Sequence, residues 1–569
     1  MSTIELFREK LSQQLRIVYT ESVAEVILPQ IVERVSQANV QSPAARTPDA
    51  SDIMFITYGD SFTEPLQQPL QTLHRFLETW MTGLISTVHI LPFFPYTSDD
   101  GFAVSDYRVV DPKLGDWSHV ENIKNDFGLM FDLVINHASS SHHYFQQFLQ
   151  DEPPGNAFFL TEKAGTDVSQ VTRPRASDLL QEFQTKTGAK NVWCTFSRDQ
   201  VDWDFKNPDV LVEFIDILAS YIEQGADWIR LDAIAYLWKE LGTSCIHLPQ
   251  THAVVKIFRL VAEQLDPNTK ILTETNVPNE ENLSYFGTGN EAHVVYNFSL
   301  PPLVVHALLT GKSTWLSQWC QSLPPLPKAC TYLNFTASHD GVGMRPAEGL
   351  IPDNELKQVF DTLKESGGRL TYRKRSDGSL SPYEVNISLY DAFQRTVQDT
   401  DAWQNERFIC SQAIMLSLSG VPAIYYNSVL STPNYHEGVA KTNHNRTINR
   451  RKWTLMEANQ RLQDPQHNAH KVFSALKQII TVRRATSAFA PQAEQACLEI
   501  DQRLFCVKRH NKDTGSHILC LFNVSNETLT LEPKKVGLSS EKPYQDIISG
   551  KQTSQIVLSP YQVSWFTLA

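Results

Sequence analysis

The residues best equipped for chemistry are carboxylates that close short apolar runs. Asp232 ends Ala-Asp-Trp-Ile-Arg-Leu-Asp, with Arg230 two residues before it. Glu274 ends Ile-Leu-Thr-Glu, and the pair His339-Asp340 follows Leu-Asn-Phe-Thr-Ala-Ser. Two carboxyl groups flanking a glycosidic bond can cleave it: one attacks the anomeric carbon while the other protonates the leaving oxygen. A separation of about 5–5.5 Å gives retention through a covalent glycosyl-enzyme. Arg230 projects to the same side of a strand as Asp232 and would keep that carboxylate ionised. Glu274 must hold a proton, so its pKa has to be raised by a drier site or a charged neighbour. His339 and Asp340 suit sugar hydroxyls and an oxocarbenium-like transition state. Each residue alone also fits a helix cap, a turn or a structural Arg–Asp pair. Their ordered recurrence at strand ends is what favours catalysis.

Such strand ends need a frame. From residue 52, eight apolar runs (53–58, 86–91, 129–135, 227–232, 270–275, 293–298, 331–336 and 422–427) alternate with amphipathic stretches. Near-continuous apolar strands separated by helices imply a parallel sheet, and eight of them a closed (β/α)8 TIM barrel. The site of such a barrel lies at the C-terminal strand ends, where His137, Asp232, Glu274 and Asp340 fall. The expected organisation is a helical extension at 1–51 and a barrel over 52–137 and 201–340 that is completed by 393–487. Insertions are expected at 138–200 and 341–392, and a small antiparallel β domain at 488–569. Pro29 should kink or split the second helix of the extension. That extension either caps the barrel or pairs with a second subunit in a homodimer.

Bulk properties narrow the function classes. A net charge of −13 and a pI near 5.7 argue against a nucleic-acid or anionic-membrane partner. No apolar run approaches the roughly 18 residues of a membrane span. The N-terminus lacks a basic region followed by an apolar core, so a cytoplasmic location is expected. The eight cysteines include no Cys-x-x-Cys pair, which leaves metal and redox centres unsupported. No cofactor is expected. A calcium site near Asn136 lacks a cluster of oxygen ligands in the nearby sequence. There is no glycine-rich phosphate loop opening a helix, which disfavours a nucleotide-dependent transferase.

Four segments carry a resemblance: Phe-Asp-Leu-Val-Ile-Asn136-His137, Trp-Ile-Arg230-Leu-Asp232-Ala, Thr-Glu274-Thr-Asn and Ala-Ser-His339-Asp340. In these the sequence resembles the α-amylase superfamily, glycoside hydrolase family 13, over about residues 52–490. The resemblance implies that Asp232 is the nucleophile, Glu274 the acid/base and Asp340 the transition-state stabiliser. It also implies that His137, Arg230 and His339 bind the glucosyl unit. Further segments are similar to the sucrose phosphorylase subfamily: 88–94, Ser-Asp99-Asp-Gly-Phe102, Lys-Glu-Leu-Gly-Thr-Ser-Cys245, 300–303 and 441–450. By that likeness Asp99 and Arg446 hold the far hydroxyls of glucose, and Phe102 is an aromatic platform beside the reacting sugar. The partners would be a small α-glucoside and inorganic phosphate, which takes the glucosyl unit as α-glucose 1-phosphate.

The phosphate side is less determined. Arg173 and Arg175 resemble its acceptor site, with Tyr383 and Glu384 nearby, although the arginines also fit solvated surface charge. Sucrose enzymes tend to carry glutamine where this chain has Glu384. The helical extension and the basic insertion 372–375 (Tyr372-Arg373-Lys374-Arg375) are further departures, and both look more like glucosylglycerate phosphorylases. Sucrose and sucrose 6′-phosphate remain alternative substrates. A plain retaining α-glucosidase and a catalytically dead binding barrel are the other classes.

Overall fold

The computed structural model describes residues 3–40, 46–175, 177–374, 379–538 and 543–568. Two helices open the chain, α1 (Thr3–Val18) and α2 (Glu21–Gln37). Their apolar spacing puts Phe7, Leu11, Leu15, Ile27 and Ile31 in the core. α1 lies on the helix Pro249–Leu265 and α2 on the helix Pro208–Glu223, both in the outer ring of the barrel. Arg34 clamps α2 to that ring through Asp216 and, at 2.9 Å, Glu223. The extension therefore flanks the barrel. Pro29 does not split α2, which runs unbroken through it. Pro29 sits on the exposed side, where the carbonyl it leaves without a donor can turn to water.

The barrel strands are β1 (Met54–Thr57), β2 (Thr87–Ile90), β3 (Gly128–Val134), β4 (Trp228–Asp232), β5 (Lys270–Thr273), β6 (Val294–Tyr296), β7 (Thr331–Phe335) and β8 (Val421–Tyr425). All neighbours pair in parallel, and β1 closes the ring between β2 and β8. The strands are buried almost throughout because helices cover them outside and side chains fill the middle. Register sets the site. Arg230 on β4 stands opposite Asp132 on β3, and Asp232, the last residue of β4, stands opposite Val134. Glu274 follows β5 directly, and His339-Asp340 lies on the loop after β7.

Two long loops rise over this end. After β3 come the helix His143–Gln150 and a three-stranded sheet of Thr161–Glu162, Gly188–Trp193 and Leu180–Thr185. After β7 comes a second antiparallel sheet, in which Leu380–Asn386 pairs with both Val342–Gly343 and Arg369–Lys374. A C-terminal four-stranded antiparallel sheet holds Leu504–Asn511 and Ser516–Asn523 at its centre. Its strands alternate, so Phe505, Val507, Ile518 and Cys520 join the barrel core while Leu504, Cys506, Leu519 and Leu521 form a second core on the other face. Among the described residues no helix is long and apolar enough to cross a membrane.

If the extension is a structural flank, Leu15→Ala should lower unfolding free energy by about 2–5 kcal/mol in chemical denaturation. The KM values for substrates should stay the same. A changed KM at full stability would contradict this.

Candidate active site

One pocket at the C-terminal strand ends gathers Asp232, Glu274 and Asp340 with Asp99, His137 and Arg446. Strained backbone helps to shape it. Ala233, directly after Asp232, has φ 54°, and its N–H donates to Glu274 Oε2 at 3.0 Å. A left-handed alanine costs energy and persists only where its surroundings hold it. Asp99 and Asp100 are also left-handed, and Gly101 follows at φ 111°. A side chain at Gly101 would meet the Pro92 carbonyl at 2.7 Å, so only glycine closes this turn.

The charges form alternating chains. Arg230 Nη1 bonds Asp132 at 2.5 Å and Asp232 at 2.8 Å, with the Arg230 and Asp132 side chains essentially inaccessible. Arg446 bonds Asp340 at 2.6 Å and holds Glu384 through two nitrogens, at 3.1 and 2.7 Å. Arg450 bonds Asp100 at 2.6 Å and the His339 carbonyl at 2.8 Å. Phe102 stacks on His339 with ring centres 4.9 Å apart, and Arg230 lies over Phe102 at 5.6 Å. His137 Nε2 meets the Phe102 carbonyl at 3.0 Å and Gln200 at 3.2 Å.

These contacts set the protonation states. Burial raises Asp340, but Arg446 and then His339 and Arg450 more than offset it, leaving the carboxyl well below its usual range. Asp99 is depressed in the same way, by Arg446 and Arg450 against burial. Burial takes the His339 imidazole down to about 3, so it is neutral at physiological pH. Asp232 and Glu274 both go up, chiefly through burial, and Arg230 opposes the rise in each. Arg230 divides its bonds between Asp132 and Asp232, so it does not by itself hold Asp232 in the ordinary carboxylate range. Two raised, buried carboxyls that feel one another titrate as a pair. Arg230 contacts Asp232 directly, while among the described residues Glu274 accepts a backbone N–H, so Asp232 is the better placed of the two to hold the negative charge.

The other side of the pocket is poorer in acid. Arg175 lines it between the rings of Phe196 and Tyr383, 5.6 and 5.9 Å away. Among the described residues its one hydrogen bond, at 3.4 Å, is to the neighbouring Pro174 carbonyl, and no carboxylate lies within ion-pair distance of it. Arg173 does not line the pocket, contrary to the sequence expectation, because its guanidinium turns to the Ser177 carbonyl. Glu384 is buried at 2% and acts through Arg446 instead of facing the pocket, and Arg373 pairs with Glu348 at 2.8 Å. Arg375 and the side chain of Lys374 lie outside the described residues. Near Asn136 the chain supplies its own cation. Lys239 Nζ lies 2.7 Å from Asn136 Oδ1 and 2.8 Å from Asp202, so these oxygens do not fit a calcium site.

Sequence reasoning missed Asp132, Gln200, Tyr236, Asn276 and Arg450. Asp132 had a signal, since it lies within β3 four residues before Asn136, and Arg450 had another, four residues after Arg446. Gln200 opens the short strand Gln200–Asp202, Tyr236 closes the single turn Ile234–Tyr236 and Asn276 lies on the loop after β5, and none of the three had a periodic signal.

The catalytic-domain model of the alpha-amylase family matches residues 82–331. Glucosylglycerate phosphorylase of Spirochaeta thermophila is 43% identical over 547 residues, 94% of this chain and 93% of that protein. The protein of the same name from Escherichia coli is 38% identical over 562 residues, 98% of this chain and 100% of that protein. The crystal structure of sucrose 6F-phosphate phosphorylase from Thermoanaerobacter thermosaccharolyticum superposes with a TM-score of 0.72 at 24% identity, covering 84% of this chain and 95% of that one. With the likeness running along nearly the whole chain, this protein belongs to the glucosylglycerate phosphorylase family, built on the α-amylase catalytic domain.

Proposed function

We propose that the chain is a retaining phosphorylase that moves a glucosyl unit from 2-O-α-glucosylglycerate to inorganic phosphate, giving α-glucose 1-phosphate and glycerate. The observation that carries this reading is the shared pocket of Asp232, Glu274 and Asp340, with the acid-free Arg175 facing it. Asp232 Oδ attacks the anomeric carbon while Glu274 gives its proton to the glycerate oxygen, which leaves. Phosphate then attacks the glucosyl–Asp232 ester, and Glu274 takes back the proton. Asp340 stays anionic beside the developing positive charge on the ring. Asp99, Arg446 and His137 supply the hydrogen-bonding wall for the sugar, and Phe102 its flat side. Glycerate and phosphate are both anions, so a guanidinium without a carboxylate partner suits each in turn. The names of the full-length relatives support glycerate over fructose as the leaving group.

Three outcomes follow. Glu274→Gln should lower kcat on glucosylglycerate by about 10²–10⁴-fold. It should lose far less on α-glucosyl fluoride, whose leaving group needs no proton, when glucosyl-enzyme formation is followed. Equal losses on both donors would refute the acid role.

Incubated with α-glucose 1-phosphate, the protein should release phosphate fastest with D-glycerate, ahead of fructose, fructose 6-phosphate and glycerol. Faster release with fructose or its phosphate would move the assignment to sucrose or sucrose 6′-phosphate. Donor cleavage at an equal rate without phosphate would make the protein a hydrolase.

The pH dependence has a definite sign. The acid is needed protonated and its pKa is raised, so kcat/KM should hold up to that raised value and fall as pH climbs through it. The basic limb should vanish with α-glucosyl fluoride. If it persists there, another group is responsible.

A further inference from the structure

Arg345 opens a short turn, Arg345–Ala347, just after the strand Val342–Gly343. The Met344 N–H donates to the Tyr383 carbonyl at 2.9 Å, which ties this turn to the strand carrying Tyr383. Gly343 lies against the side chain of Asn276, with room for no Cβ. Tyr383 and Asn276 both line the pocket.

Arg345 is only 7% exposed, and its Nε is buried without a hydrogen-bond partner. Among the described residues no carboxylate lies within ion-pair distance of it. That sets it apart from the other deeply buried arginines. Arg230, Arg259, Arg407 and Arg450 hold carboxylates, while Arg483 and Arg509 hold backbone carbonyls. A buried guanidinium without a partner is costly, and a ligand anion would relieve that cost.

Arg345 is not itself among the side chains that line the pocket, but the turn that carries it is tied to Tyr383, which does. Burial raises the Tyr236 phenol, and Arg345 counters this more strongly than Arg175 does. The two arginines come from different insertions, Arg175 after β3 and Arg345 after β7, and among the described residues neither has a carboxylate within ion-pair distance.

Resting on the proposed glucosylglycerate reading, we infer that Arg345 is the specificity-determining residue for the acceptor and binds the carboxylate of glycerate. Glycerate differs from the neutral acceptor glycerol in that carboxylate, and a guanidinium fork matches it. When glycerate leaves and phosphate enters, the same charge faces the second anion. No covalent step is added to the reaction.

The test is acceptor competition in the direction of synthesis, with α-glucose 1-phosphate as donor and D-glycerate or glycerol as acceptor. Arg345→Gln should lower the preference for glycerate over glycerol about 10- to 100-fold, the loss of a charged hydrogen bond, and should do so through KM for glycerate. Arg345→Lys should recover part of the preference. It carries the test if the glutamine variant does not fold, because its single ammonium lacks the fork and should cost several-fold in the same ratio. An unchanged preference in either variant would overturn the inference, as would an equal loss on both acceptors. Wild-type protein that ignores glycerate would overturn the functional reading beneath it, and the inference with it.

Discussion

The site depends on one buried ion triplet, in which Arg230 is held between Asp132 on β3 and Asp232 on β4. Three charges buried in the barrel mouth are costly unless each meets an opposite one. Strand register makes the match, because Arg230 stands opposite Asp132 while Asp232 points the same way two residues on. The second and third chains, Asp340–Arg446–Glu384 and Asp100–Arg450, repeat the solution on the loops above. Glu274 is the carboxyl left out of this alternation. Among the described residues its only hydrogen bond is from the Ala233 N–H, turned toward it by a left-handed residue. The asymmetry allows one carboxyl to be charged and its neighbour to carry a proton.

The two halves of the pocket follow different rules. On the sugar side each cation has a protein anion, so the wall is neutral and preorganised for hydroxyls. On the proposed acceptor side Arg175 has no anion of its own among the described residues, and Arg345 is inferred to add a second such charge. A neutral acceptor would leave those charges unmatched, whereas an acid that departs and a phosphate that arrives can each match them. The difference between the halves, more than any single residue, is what favours a phosphorylase over a hydrolase.

Much of this was legible in the sequence where period and position coincide. The eight apolar runs match the eight barrel strands because parallel strands covered on both faces must be apolar throughout. Asp232 and Glu274 could be placed because they end such runs. The loops were harder. Nothing local distinguishes Arg173 from Arg175, yet one turns to the Ser177 carbonyl and the other to the pocket. Glu384 reads as an acceptor residue until Arg446 is seen to hold both its oxygens. Pro29 reads as a break, but a helix tolerates proline when the freed carbonyl faces water. Arg345 carries no sequence signal at all, since the lack of a partner is a property of three-dimensional packing.

The central claim is that Asp232 accepts the glucosyl unit covalently while Glu274 manages the proton. Its most direct measurement is mass spectrometry of the Glu274→Gln protein, quenched with acid after exposure to α-glucosyl fluoride. The account predicts a mass increase of one glucosyl residue, mapped by digestion to the peptide containing Asp232 and discharged by azide, an anion that needs no general base. An adduct on another residue, or none while donor is consumed with retention, would contradict it.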